Sequence, residues 1–270
     1  MGHDKLRKFR ENETFRCLLQ PDSSEVLDRE KGEGAGKDGL KLKDHPIKGH
    51  WNEKMFSKPQ PIVLELGCGK GEYTIDLSHR IPERNYIGVD IKGARLWKGA
   101  KEAEQDNLPN VAFLRTRVEF IESFFAPGEV SEIWLTFSDP QVKSENCRLT
   151  SPLFLERFRN ILRPGGVVHL KTDSMFLHQY TKAIALQNGL KILACTEDLY
   201  ATERSETFCD ALFEVQTYYE KKFLEQGYKI TYLSFVIDRE GKYIYPEFDK
   251  DYWLEIEGPT KITLRAPSRA

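Results

Sequence analysis

The sequence has no surplus of positive charge: 40 Lys and Arg stand against 42 Asp and Glu, a formal net charge of −2. A protein that binds nucleic acid through its overall charge shows a clear basic excess, so an RNA or DNA partner has to be held by a local basic face. Cysteine is sparse too. The five residues (Cys17, Cys68, Cys147, Cys195, Cys209) are odd in number, scattered and form no C-x-x-C pair. That argues against a disulfide framework or a zinc site and for a reducing compartment. No apolar run approaches the roughly 20 residues of a membrane span, and Met1–Gln20 lacks the apolar stretch of a secretory leader. No segment repeats. The expectation is a cytoplasmic chain with no membrane or metal partner, able to bury one large core or two modest ones.

Residues 1–60 also lack steady periodicity and are expected to form a partly disordered N-terminal extension. Within them, Asp28–His45 is rich in glycine and charge and poor in large apolar residues, the composition of a disordered or looped segment. "KLRKFR", Lys5–Arg10, reads as a short basic arm. From residue 61 to 238 the pattern is regular, and this stretch is expected to be the main domain. Runs with strand composition at 62–66, 86–89, 111–114, 133–137, 167–170, 192–194 and 230–237 alternate with amphipathic stretches at 73–79, 93–105, 118–125, 152–162 and 176–187. A long helical segment is expected at 212–226. This alternation predicts an α/β fold: a doubly wound, mainly parallel seven-stranded sheet with an antiparallel strand near its edge. Residues 239–270 form a polar and aromatic tail with no expected element.

"IVLELGCGKGEYT" sets Gly67, Gly69 and Gly71 between the first strand and the first helix, where glycine lets the backbone turn tightly and approach a ligand. A dinucleotide would place its pyrophosphate at that helix N-terminus, against the flanking carboxylates Glu65 and Glu72. S-adenosylmethionine has no phosphate and carries a sulfonium and an ammonium, so the acidic flanks favour it over NAD. Asp90 ends the second strand, where an acid hydrogen-bonds ribose hydroxyls. Asp139 follows the fourth strand in "IWLTFSDP" and Asp173 follows the fifth in "HLKTDS". In open α/β sheets that end of the strands is the ligand-binding rim. The competing reading for either acid is a turn or helix-cap residue.

Taken together, "LELGCGKGEY", "YIGVDIKG", "LTFSDPQVK", "RLT" with "FLERF", "HLKTDS" and "QTYYEKKFLEQG" resemble the bacterial tRNA (guanine-N7-)-methyltransferases of the TrmB type, in consistent order from about 62 to 237. The resemblance implies the class I S-adenosylmethionine-dependent methyltransferase fold and methylation of a guanine in the tRNA variable loop, with S-adenosylhomocysteine as product. It implies cofactor contacts for Glu65, Asp90 and Asp139 in addition to the glycines, and a catalytic role for Asp139. Lys143, Asp173 and the run Thr217, Tyr218, Tyr219 and Glu220 match positions assigned to the substrate. Arg117 stands where many members have an acid near the adenine, with Glu119 two positions on. Gln141 replaces the usual Trp after Asp-Pro, and the basic cluster that normally follows is reduced to Lys143 and Arg148 around Ser144–Cys147.

Guanine N7 carries a lone pair and no proton, so its methylation needs no general base, only placement and electrostatics. The ring becomes cationic as the bond forms, and a fixed carboxylate such as Asp139 opposes that charge. The same carboxylate could instead bind the guanine edge or the cofactor's ammonium. Lys143, Arg148 and the basic arm are the expected phosphate contacts. One of Tyr218 and Tyr219 is expected to pack in the core. Two alternatives stay open on the residues alone: a methyltransferase for another RNA base or a small molecule, and a catalytically silent tRNA-binding protein.

Overall fold

A computed structural model describes residues 2–28 and 41–257. Its strands are β1 (Leu18–Leu19), β2 (Leu27–Asp28), β3 (Lys41–Leu42), β4 (Ile62–Leu66), β5 (Asn85–Asp90), β6 (Val111–Arg115), β7 (Val130–Thr136), β8 (Leu162–Thr172), β9 (Ile192–Thr196) and β10 (Thr231–Val236). The longer helices are α1 (Gly2–Asn12), α2 (Glu72–Arg80), α3 (Gly93–Gln105), α4 (Pro152–Ile161), α5 (Met175–Gln187), α6 (Tyr218–Glu225) and α7 (Lys250–Glu257). The class is the expected α/β with a mainly parallel sheet, but the sheet has eight strands where seven were expected. Among the described residues no helix is long and apolar enough to cross a membrane. The chain forms two compact units, Met1–Ile133 with Asn160–Pro164, and Trp134–Arg159 with Gly165–Ala270.

In the first unit the strand order is β1-β6-β5-β4, all parallel. The additional strand is β1, where Leu18 pairs with Phe113 and packs against Leu96, Ala100 and Phe113. Two residues are too few for a periodic signal, which is why the sequence pattern missed it. Phe113 fills a notch lined by glycines. A Cβ on Gly71, Gly88 or Gly99 would approach its ring to 2.5, 2.7 and 2.6 Å respectively, closer than carbon atoms pack. Helix α3 buries Leu96, Gly99, Ala100 and Ala103, the i, i+3, i+4, i+7 stripe of an amphipathic helix.

The basic arm is not a free arm. Residues 5–10 lie in α1, which packs on α3 through Trp97. The indole is flanked by Arg7 and Lys8 at 5.1 and 4.9 Å and donates to Glu11 Oε2 at 2.6 Å. Arg7 and Lys8 are also paired with Asp4, and Arg7 with Glu11. The glycine- and charge-rich segment has its ends tied in an antiparallel ladder, Leu27 to Leu42 and Asp28 to Lys41, while residues 29–40 lie outside the described residues.

In the second unit the order is β7-β8-β10-β9, with β10 antiparallel to both neighbours. The antiparallel strand therefore lies one position in from the outermost strand, β9. The expected long helix at 212–226 is broken. A short helix ends at Glu214, Val215 and Thr217 are extended, and α6 begins anew at Tyr218. The cause is Lys171 on β8: its buried Nζ donates to the carbonyls of Leu212 and Val215 at 2.7 and 3.0 Å, acceptors that a continuous helix would have used internally. The tail from Arg239, for which no element was expected, holds α7 and an ordered stretch before it. Tyr243 Oη donates to the carbonyl of Ile237, and Phe248 packs edge-on against Phe176 and Tyr180.

Candidate active-site residues

The residues expected to act fall in both units, and each set has its own geometry. In the first unit, Gly67, Gly69 and Gly71 all adopt left-handed backbone, with φ of 77, 59 and 72°. Their surroundings differ. A Cβ on Gly71 would collide with Phe113, whereas Gly67 and Gly69 face open space with nothing within 4 Å. Gly71 is therefore a packing glycine, and Gly67 and Gly69 leave room for a ligand against the backbone. Asp90 anchors this loop. Its Oδ2 accepts from the amide of Gly69 at 2.9 Å and its Oδ1 from that of Lys92 at 2.7 Å. A carboxylate has about four acceptor sites, so these two bonds leave capacity for hydroxyl donors. Glu65 is buried, and its Oε2 accepts from the amide and hydroxyl of Thr74 at 2.9 and 2.5 Å, holding the first turn of α2. Burial and the charges of Glu65 and Asp90 push the Cys68 thiol well above its ordinary range. Arg117 precedes a 3-10 turn, pairs with Glu119 at 2.8 Å and lies over the Phe120 ring.

In the second unit, β7 leads into Phe137, a non-glycine residue at φ 52°, whose amide donates to the carbonyl of Lys171 and whose ring stacks on Phe223 of α6. Asp139 is exposed, and its Oδ1 accepts from the amide of Gln141 at 2.9 Å, a local turn in which Gln141 has φ 47°. Lys143 is exposed. Arg148 is not a surface cation. It is 2% exposed, donates from Nε to Pro140 O at 2.8 Å and from Nη2 to Gln141 O at 3.3 Å, and has its pKa lowered by burial. Asp173 is buried at the end of β8, and the cap of α5 is supplied by Ser174, whose Oγ accepts from the Leu177 amide.

Thr217 and Glu220 form a capping box: Thr217 Oγ1 accepts from the Glu220 amide and Glu220 Oε2 from the Thr217 amide, satisfying two donors at the start of α6. Glu220 is fully buried, and its Oε1 meets Lys171 Nζ at 2.7 Å and the Tyr200 hydroxyl at 2.7 Å. Burial lowers the Lys171 pKa, and the contact with Glu220 offsets part of that cost. Tyr218 and Tyr219 are both about half exposed, at 50% and 52%, and meet edge to face. Neither packs in the core, contrary to expectation. In the second unit Phe137, two residues before Asp139, meets Lys171 of β8 and Phe223 of α6, and Lys171 meets Glu220 in the first turn of α6.

Lys171 and the inward turn of Arg148 were missed by sequence reasoning. A lysine inside the apolar run "VVHLKT" was the available signal for the first. Nothing local marks the second.

Fold and loop define the class. A family model described as "Putative methyltransferase" matches residues 59–233, and the solved structure of the 16S rRNA methyltransferase KamB shares the fold, with a TM-score of 0.53 and 15% identity over 73% of this chain and 94% of that one. The tRNA (guanine-N(7)-)-methyltransferase of Christiangramia forsetii is 46% identical over 236 residues, 87% of this chain and 98% of the relative. Those of Bacteroides fragilis, at 44% over 92% of both chains, and Porphyromonas gingivalis, at 52% over 70% of this chain and 77% of the relative, agree. The chain belongs to the tRNA (guanine-N(7)-)-methyltransferase family.

Proposed function

We propose that the chain methylates N7 of a guanine in the variable loop of tRNA, with S-adenosylmethionine as donor and S-adenosylhomocysteine as product. The observation that carries this reading is the identity of 46% across nearly the whole of a relative bearing that name. The first unit fits the donor. Its glycine loop is open at Gly67 and Gly69, and two buried acids, Glu65 and Asp90, flank it, a setting that suits a cationic nucleoside better than a pyrophosphate. When bound, the sulfonium supplies an electrophilic methyl group.

The protein's own part is placement and charge. Gly67 and Gly69 admit the donor to the backbone, Asp90 fixes the loop and takes ribose hydroxyls, and Arg117 with Glu119 serves the adenine side. Asp139 opposes the positive charge that grows on the purine. Asp173 orients the base, and Thr217 and Glu220 act by fixing α6, whose Tyr218 and Tyr219 offer exposed rings for stacking RNA bases. Lys143 contacts phosphate. No proton has to leave N7, so no general base is assigned. Residues 61–238 form the methyltransferase domain in this reading, residues 1–60 and 239–270 extend it, no metal takes part, and the location is cytoplasmic.

The test is direct: purified protein, unmodified tRNA and methyl-labelled donor, followed by nucleoside analysis. Label in 7-methylguanosine is the expected result. Label in another nucleoside, or none, overturns the reading.

A further inference from the structure

The turn carrying Asp139 is held from the far end of the chain. Arg148 sits with its guanidinium over the rings of Tyr180 at 3.9 Å and Phe176 at 4.8 Å, while donating to the carbonyls of Pro140 and Gln141. Those two carbonyls belong to the turn that follows Asp139. The same two rings are covered by Phe248, edge-on at 5.5 and 5.4 Å. Residues before Phe248 run as a strap fastened at several points. Asn188 Oδ1 accepts from Arg239 and from the Ile244 amide, its Nδ2 donates to Ile244 O, and Tyr245 Oη donates to Asn146 Oδ1 on the Asp139 loop itself at 2.6 Å.

We infer that Arg148 and the strap from Arg239 to Phe248 are a positioning device for Asp139, setting the turn on which the proposed reaction depends. The loop needs such a device. Phe137 and Gln141 both hold positive φ, a conformation that persists in a non-glycine residue only where its surroundings enforce it. Phe137 has Lys171 and Phe223 for that purpose, and Gln141 depends on what meets its own turn. The local hydrogen bonds, Gln141 amide to Asp139 Oδ1 and Ser144 amide to Gln141 O, form on an exposed stretch, and Ser144–Cys147 are all exposed. A buried guanidinium between an aromatic pair and two carbonyls adds a buried hold, because its planar fork fixes the direction of the Nε and Nη2 donors while its face rests on the rings. The strap completes the aromatic side and grips the loop's outer half through Asn146. Arg148 and the strap residues would not touch the reacting atoms. Their effect is on where Asp139 stands.

The role assigned to Asp139 rests on the proposed function, so the test uses two readouts in the full-length chain. Hydrogen exchange of peptides spanning 138–148 is compared with that of β4 as an internal reference in wild type, Phe248→Ala, Phe248→Tyr and Tyr245→Phe. Exchange at 138–148 is expected to rise about tenfold in Phe248→Ala with β4 unchanged, less in Tyr245→Phe, and not at all in Phe248→Tyr, which keeps the ring. In tRNA methylation, Phe248→Ala is expected to lose about tenfold in kcat, with KM for the donor within about twofold and Phe248→Tyr restoring the rate. Unchanged exchange at 138–148 in Phe248→Ala overturns the brace. Raised exchange with kcat within about twofold of wild type overturns the positioning role. If wild type itself fails to methylate tRNA, the functional reading falls, and the exchange data still decide the brace.

Discussion

The carboxylate of Asp139 spends one oxygen on the Gln141 amide and is otherwise turned outward. Asparagine can accept the same hydrogen bond, so Asp139→Asn should keep the turn and lose only the charge. If that charge opposes a developing purinium, single-turnover methylation at saturating donor and tRNA should slow about a hundredfold or more, the worth of one preorganised electrostatic group, about 3 kcal/mol. A rate within a few-fold of wild type would leave Asp139 as a turn residue. A second residue acts on stability. His178 is fully buried beside Cys195, and burial lowers its pKa to about 4, with Lys182 adding to the effect and Glu197 opposing it. The unfolded chain takes up a proton near 6.5 and the folded one resists until about 4, so stability is full above the ordinary value and is lost as pH falls between the two. Between pH 7 and pH 5 this single group should remove about 2 kcal/mol. Urea titrations of wild type and His178→Gln at both pH values test it: equal losses in the two proteins would refute the assignment.

Among the elements, the loop between β4 and α2 separates packing from binding. Gly71→Ala meets both a left-handed backbone and the Phe113 ring, costs of about 1–2 and 1–3 kcal/mol respectively. Its melting temperature should fall by several degrees or more. Gly67→Ala carries only the backbone cost but fills open space, so it should melt closer to wild type and lose more donor affinity. Calorimetric titration with S-adenosylmethionine beside thermal melts checks both; a reversed ranking would mean that the open face is not where the donor lies. The loop was legible in the sequence because its signals are local: three glycines in five residues between a strand pattern and a helix pattern, with acids at fixed offsets. What stayed hidden was set at a distance. The notch around Phe113 draws on Gly71, Gly88 and Gly99, no two of which share an element. The break before α6 is imposed by Lys171 from another strand, and Arg148 turns inward because Phe176 and Tyr180 on α5 receive it. A basic run read as an arm proved to be a helix because Trp97, nearly ninety positions on, offers it a face.

For the molecule as a whole, the charge balance decides how RNA can be held. At a net charge of −2, the protein cannot rely on its overall field, and tRNA must be met by small groups of cations. Helix α1 is one candidate group: Lys5, Arg7, Lys8 and Arg10 stand against Asp4 and Glu11. Within it the cations are not equivalent. Arg7 and Lys8 are engaged with Asp4, and Arg7 also with Glu11, and both lean on Trp97, so their removal would disturb the helix as well as the field. Lys5 and Arg10 are exposed, and neutralising them should leave the fold intact. If both touch phosphate, the slope of log affinity against log salt should shrink by about 1.4–1.8 in the double variant Lys5→Gln, Arg10→Gln, since each lost contact removes about 0.7–0.9. The affinity at low salt should fall, while the melting temperature and the donor affinity stay where they were. An unchanged slope would assign α1 a purely architectural part, covering α3, and would move the search for phosphate contacts to Lys143 and the exposed face of α6.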